Sequence, residues 1–120
     1  MMSDEKFRFK GLIVYQRSLD FSNKIYEITK SWRKEYLYDL TSQIRRASLS
    51  VPLNIAEGSG RSKKEFKHFL TIARSSCFEI VPLAEIASKQ NLINQNLKEE
   101  LLDEVYQLSK MMSKLKSALK

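Results

Sequence analysis

A line of polar side chains runs through the middle of the chain and could form a ligand-binding or catalytic stripe. The side chains recur every three or four residues, which places them on one face of a helix, and they are Gln43, Arg46, Ser50, Asn54 and Glu57. The alternative is structural, because buried polar groups can fix the register between helices or subunits. We favour this structural interpretation.

Other groups with catalytic potential stand alone. His68 is the only histidine and lies among lysines, where we expect it to be exposed. Cys77 lies on an apolar seam, where an inert buried thiol is expected. Glu99 and Asp103 have i, i+4 spacing, which an exposed acidic helix face explains. With no glycine-rich phosphate loop, metal-ligand cluster or nucleophile–base spacing, the sequence predicts no enzyme, cofactor or metal site.

Length and composition indicate one compact helical domain. The 120 residues, 42% hydrophobic and 29% charged, fit a single domain over residues 1–120. Three glycines and two prolines are too few for the turns of an all-β protein. The single cysteine excludes an intramolecular disulfide and suits a reducing compartment. No apolar run approaches the roughly 20 residues that span a bilayer, so we expect a cytoplasmic protein without membrane association.

Apolar residues recur with helical periodicity in four segments, which predicts helices over about 12–31, 37–57, 62–90 and 95–118. Ser62 and Glu65 form a capping box at the start of the third helix, and Gly58 is expected to end the second helix with a positive φ. Short connections favour antiparallel neighbours. The predicted fold is all-α, an up-down-up-down four-helix bundle, with bends at Pro52 and Pro82 inside the second and third helices.

Three of these helices carry a second set of apolar residues away from the core seam. A single bundle has one core, so a second copy of the chain is the expected cover. A wide core with a few exposed leucines is the alternative. The candidate homo-oligomer interface consists of Tyr15, Leu19, Tyr26, Leu49, Leu53, Ala56, Ile72, Leu83 and Ile86.

The polar line also predicts contacts between the second and third helices. If these pack antiparallel about the turn near Ser59 to Arg61, Gln43 faces Glu79, Arg46 faces Ser76 and Ser50 faces Ile72. We therefore expect a partly buried ion pair between Arg46 and Glu79. The predicted structural network comprises Gln43, Arg46, Ser50, Asn54, Glu57, Ser76 and Glu79.

The net charge of +7 indicates anionic partners, with nucleic acid first. The helix order should bring the N-terminus, the turn before Ser62 and the C-terminus to one end of the bundle. The acidic residues that partly offset the positive charge at this end are Asp4, Glu5, Glu57 and Glu65. Phe7 and Phe9 could stack on bases there or simply pack. No base-reading motif is present, so weak sequence specificity towards RNA or DNA is expected; docking of an acidic protein is the alternative. The candidate nucleic-acid contacts are Lys6, Arg8, Lys10, Arg61, Lys63, Lys64, Lys67, Lys110, Lys114, Lys116 and Lys120.

The segment 43–58 resembles the signature of a bacterial family, the four helix bundle or 23S rRNA intervening sequence proteins. The likeness continues at Arg61, Ser62, Glu65, Phe66, Phe69, Leu70, Ile72, Ala73, Ser76 and Glu79, and upstream at Val14, Tyr15, Gln16 and Tyr26. It implies a four-helix bundle that can assemble into a homopentamer. The chain is also similar to the accessory protein of diversity-generating retroelements, a basic pentamer that works with a reverse transcriptase and nucleic acid. It departs from the family pattern at residues 32–35, where an aromatic–proline pair is usual, and at Ser75, where glycine is common.

Overall fold

The computed structural model describes residues 6–120, and within them it contains four α-helices and no strand. They are α1 (Ile13–Thr29), α2 (Ser42–Ser59), α3 (Lys63–Lys89) and α4 (Gln95–Ala118). A 3₁₀ turn at Arg8–Gly11 precedes α1, and a 3₁₀ turn at Lys34–Tyr36 followed by a π-helical turn at Leu37–Thr41 leads into α2. The all-α four-helix bundle is confirmed.

Contacts between neighbouring helices pair rising residue numbers on one helix with falling numbers on the other, as in helices that run in opposite directions. The pairs are Ser22–Ser48 and Thr29–Arg45, Ser50–Ser76 and Gly58–Phe69, Thr71–Lys116 and Cys77–Val105, and Arg17–Glu104 and Lys24–Glu100. Helix α2 therefore lies between α1 and α3, and α4 closes the bundle against α3 and α1.

One apolar core receives side chains from all four helices. Ile25, Val51, Ile80 and Leu108 are fully buried and each comes from a different helix. Burial of a side chain of this size stabilises the fold by about 1.5–3 kcal/mol relative to exposure. The same core seam fixes which faces of the helices remain outside. No helix among residues 6–120 combines the length and apolarity needed to cross a membrane.

Gly58 lies inside α2 and does not end it, so the expectation of a positive-φ cap there was wrong. Helix α2 continues to Ser59, and no described glycine has a positive φ. A Cβ atom on Gly58 would lie 2.5 Å from the Cβ atom of Phe69. Glycine is required here because α2 and α3 approach each other too closely for any side chain.

Helix α3 is closed by local hydrogen bonds at both ends. The predicted capping box is confirmed, since the Glu65 amide donates to Ser62 Oγ (3.2 Å) and the Ser62 amide donates to Glu65 Oε1 (3.3 Å). At the other end Asn91 has φ 61°, and the Leu92 amide donates to the Ala87 carbonyl at 2.9 Å. This second arrangement is a Schellman motif, with asparagine in the left-handed position that glycine often fills.

Both prolines lie within continuous helices, with Pro52 buried in α2 and Pro82 exposed in α3. Proline cannot donate to the carbonyl four residues earlier, and for Pro52 that residue is Ser48. The Ser48 hydroxyl donates to the Arg45 carbonyl at 3.0 Å, within the same turn. The bends at the two prolines stay predictions.

Candidate nucleic-acid interface

The polar line of α2 joins α2 to α3. Ser50 Oγ and Ser76 Oγ share a hydrogen bond of 2.9 Å, and Asn54 Nδ2 donates to both the carbonyl (2.8 Å) and the hydroxyl (2.9 Å) of Ser50. All three side chains are half-buried. Their polar atoms bond to one another, which suits a contact that holds two helices in register.

The register of this helix pair differs by about one turn from the predicted one, because Ser50 contacts Ser76 and not Ile72. Residues 60–62 carry the chain past the end of α2 before α3 begins. Gly58, one residue before the end of α2, faces Phe69, six residues into α3. The first turns of α3 therefore project beyond α2 by about five residues, or ~7 Å.

The shifted register removes the expected ion pair between Arg46 and Glu79. No salt bridge joins them, and both are exposed, as is Gln43. Glu57 pairs with Arg61, four residues further along the chain, and Arg61 Nη2 donates to Glu57 Oε1 at 2.9 Å. Of the seven predicted network residues, Ser50, Asn54 and Ser76 come together.

The nine candidate interface residues lie on α1, α2 and α3. Leu49 and Leu53 point outward from α2, between Arg45, which contacts α1, and Ser50, which contacts α3. We call this outward surface the α2 face. Leu53 is 58% exposed. The other exposed members are Leu19, Tyr26, Ile72 and Ile86, whereas Tyr15, Ala56 and Leu83 are half-buried.

The N-terminal segment packs against the end of α2 and the start of α3. Phe7 and Phe9, with Ala56, Gly60 and Phe66, line a cleft of about 490 Å³ that Lys6 and Arg8 also border. Phe9 meets the ring of Tyr15 edge-on at 4.9 Å between centroids. Phe9 is thus engaged in packing, while Phe7 stays exposed.

The C-terminal half of α4 lies at the same end. Gly11 and Leu12 border a cavity with Lys114 and Leu115, and Lys116 Nζ donates to Thr71 Oγ1 of α3 at 2.7 Å. The three predicted regions are therefore neighbours in the part of the chain that the structure describes. Asp4 and Glu5, two of the acidic residues expected there, lie outside the described residues.

The candidate nucleic-acid-binding cations differ in whether they already interact with other residues of the chain. Arg61 binds Glu57, lies 3.6 Å from Glu65 and stacks 5.0 Å above the ring of Phe69. Its hydrogen bond to Glu57 is the main cause that raises the pKa of Arg61. Lys10 is half-buried, and its carbonyl accepts from Gln16 at 2.7 Å. By contrast, no ion pair within residues 6–120 involves Lys63, Lys64, Lys67, Lys110, Lys114 or Lys120.

A groove between α3 and α4 extends this basic end along the bundle and contains residues that the sequence reasoning missed. The Arg74 guanidinium lies 4.8 Å above the ring of Phe78, and Lys110 Nζ lies 5.0 Å above the ring of Tyr106. Beside them a cavity of about 450 Å³ opens between the two helices. We define the α3/α4 groove as the cavity residues Lys67, Thr71, Arg74, Ser113 and Lys116, together with Phe78, Tyr106 and Lys110, which continue the same helix faces.

Helical spacing indicates that the rings of Phe78 and Tyr106 lie on the same helix faces as the cavity, one to two turns further along. Phe78 lies one turn beyond Arg74, and Tyr106 lies two turns from Ser113, so each shares a face with a cavity residue. A sequence signal exists for this groove: segments 66–78 and 105–120 contain no aspartate or glutamate.

The residues with catalytic potential remain apart. The Cys77 thiol is buried between α3 and α4, where its Sγ lies 3.7 Å from the Val105 carbonyl, and burial raises its pKa to about 12. A thiol in that state is a poor nucleophile. His68 is exposed beside Phe69, and Glu99 accepts a hydrogen bond from Gln95. No group of three or more metal-binding side chains occurs among the described residues.

The fold and the surface together define a small all-helical bundle protein with a basic end and an aromatic-lined basic groove. The chain belongs to the 23S rRNA-intervening sequence protein family, whose model matches residues 10–114. A protein of unknown function from the S23 ribosomal protein family of Bacteroides thetaiotaomicron has the same fold. Its crystal structure superimposes with a TM-score of 0.80 at 22% identity, over 88% of this chain and 96% of that one. No curated protein matches the chain.

Proposed function

We propose that this protein binds nucleic acid at its basic end and that its role is binding and not catalysis. The observation that carries this proposal is the group of lysines without an ion pair within residues 6–120, which includes Lys63, Lys64, Lys67 and Lys114. Clustered unpaired cations bind a phosphate backbone by releasing its counterions. No base-reading motif accompanies them, so affinity should depend little on sequence.

The projection of α3 beyond α2 supports this placement. It carries Lys63 and Lys64 outward on the first turn of α3, where both are exposed. The positive end of the helix dipole adds to their charge. A phosphate group could approach this turn without meeting the end of α2.

We also propose that the protein self-associates through the α2 face, as a pentamer if the resemblance to its family extends that far. Leu49 and Leu53 are exposed on α2, and Leu49 lines a surface cavity together with exposed Tyr26 of α1, which supports this assembly. Contiguous apolar surface of this kind is uncommon on monomers.

Binding can be tested with Lys63→Glu, Lys64→Glu and Lys67→Glu combined, and with a matched control that reverses Lys34, Lys89 and Lys98. Fluorescence anisotropy with labelled RNA and DNA, over a series of salt concentrations, measures affinity. We expect the wild type to bind more weakly as salt rises, the α3 variant to lose affinity about 30-fold or more, and the control to lose about threefold or less. The absence of binding by the wild type at low salt would refute the proposal.

Light scattering on the same wild-type samples, beside Leu53→Glu and the control Ile13→Glu, checks the assembly. Leu53 and Ile13 are both exposed, but Ile13 lies away from the α2 face. We expect a multiple of the monomer mass for the wild type and the control, and a shift to monomer for Leu53→Glu. A wild type that stays monomeric at high concentration contradicts self-association. Capture of a protein partner that persists after nuclease treatment would favour acidic-protein docking instead.

A further inference from the structure

We propose that the α3/α4 groove is a binding track for single-stranded nucleic acid, with bases stacked on Phe78 and Tyr106 and phosphates held by the surrounding cations. This inference rests on the proposed function and makes it more specific. It places the strand between two helices and selects unpaired strands over duplexes.

The charge of the groove is unopposed along its length. Lys67, Arg74 and Lys110 form no ion pair within residues 6–120. No carboxylate occurs in the helix segments that border them, 66–78 and 105–120. The first carboxylates lie next to the two rings, since Glu79 directly follows Phe78 and Glu104 lies two residues before Tyr106, and further ones follow towards the opposite end. The acidic residues therefore limit the track at that side, and the basic end of the bundle continues it on the other.

The two aromatic rings are exposed where folding would favour their burial. Phe78 is 42% exposed and Tyr106 is 57% exposed, although each shares a helix face with residues that line the cavity between α3 and α4. Each ring has two faces, and its own cation lies over one of them, at 4.8 Å for Arg74 and 5.0 Å for Lys110. A base can stack on the ring or on the guanidinium plane, and the cation remains close to the phosphate that follows.

The dimensions suit a short single strand. From Lys67 to Phe78 the helix rises by ~16 Å, which corresponds to about four or five stacked nucleotides at ~3.4 Å each. In a duplex the bases are paired and stacked on one another, so surface rings of this kind cannot reach their faces. The rings therefore favour unpaired bases, while the cations alone would accept either form.

The test is a double variant, Phe78→Leu with Tyr106→Leu, which keeps apolar side chains and every charge but removes the rings. Each ring removed should lower the affinity for a fluorescent 12-nucleotide oligothymidylate about tenfold or more, and the double variant combines both losses. Affinity for a 12-base-pair duplex should change about threefold or less, because phosphate contacts remain. Tyr38→Leu is the matched control, since Tyr38 is exposed and far along the chain from the groove, and it should bind both ligands as the wild type does.

Crosslinking of the wild-type protein gives a readout that does not depend on any variant. Oligonucleotides containing 5-bromouracil should crosslink on irradiation to the peptides that carry Phe78 and Tyr106. Crosslinks confined to Phe7 and Phe9 would overturn the groove as the binding track. So would a leucine double variant that binds single strands like the wild type. In either case, binding at the basic end would still stand if the combined reversal of Lys63, Lys64 and Lys67 lowers affinity. A wild type that binds neither the single strand nor the duplex would refute both the groove and the proposed function.

Discussion

Helix α4 has two edges, and they treat their charged residues in opposite ways. At the edge facing α1, Arg17 Nε donates to Glu104 at 3.2 Å and Lys24 Nζ donates to Glu100 at 3.0 Å. At the edge facing α3, Lys110 lies over an aromatic ring and no ion pair within residues 6–120 involves it. Carboxylates of α4 pair with the cations at the first edge, whereas no carboxylate among residues 6–120 pairs with Lys110 at the second.

The two edges carry similar cations and differ in whether carboxylates pair with them. A pocket at the α1/α4 edge also contains Arg17 and Lys24, but Asp20, Glu100 and Glu104 line it as well. The hydrogen bond to Glu104 is the main cause that raises the pKa of Arg17. The cations there hold α1 to α4, whereas those of the α3/α4 groove form no ion pair among residues 6–120.

The largest effect should come from giving the α3/α4 groove the carboxylates that the other edge has. Ser113→Glu with Ser117→Glu places two negative charges beside Lys116 and should weaken single-strand binding about tenfold or more. Glu100→Gln frees Lys24 at the other edge and serves as the reciprocal change, with an expected gain of about twofold or less. Anisotropy titrations measure both. Equal effects at the two edges would mean that net charge alone governs binding.

An effect of intermediate size concerns the buried seam beneath the groove. Burial raises the pKa of Cys77 to about 12 from 9.0, so the folded state keeps its thiol proton at a pH where the unfolded chain loses it. The resulting stability is complete below pH ~9 and is lost as the pH rises towards ~12. Between pH 8 and pH 10 the wild type should lose about 1 kcal/mol more than Cys77→Ala. Urea unfolding at both pH values measures this, and parallel losses in the two proteins would show that the thiol titrates normally.

The smallest effect should separate the two edges in stability. Arg17→Met removes a half-exposed ion pair and should lower the free energy of unfolding by about 0.5–1 kcal/mol at low salt, and by less at 1 M salt. Arg74→Met removes a cation that only covers an exposed ring, so its change should stay within about 0.5 kcal/mol. Denaturant unfolding of both variants gives the comparison. A larger loss for Arg74→Met would mean that the α3/α4 edge is structural.

Much of the fold could be predicted because it depends on periodicity within one helix. The apolar residues that recur at helical spacing along α3, from Phe66 to Ala87, are buried, and the capping box formed where Ser62 and Glu65 indicated it. Such features need only local sequence, since a helix sets its own spacing.

The parts that could not be predicted depend on how two helices meet. The projection of α3 past α2 follows from the path of residues 60–62, and Gly58 is required because of Phe69, which lies on another helix. The α3/α4 groove is a similar case. Arg74 and Tyr106 lie in the middle of different helices, and their common location follows only once the register of α3 and α4 is known.

The ion pair between Arg17 and Glu104 also has a consequence for the time course of folding. It joins residues 87 positions apart, whereas α2, α3 and α4 meet their neighbours across connections of a few residues. Closing a long loop costs more chain entropy than closing a short one, and local contacts form faster. Docking of α1 against α4 is therefore expected to be a late step in folding, with the three later helices already assembled.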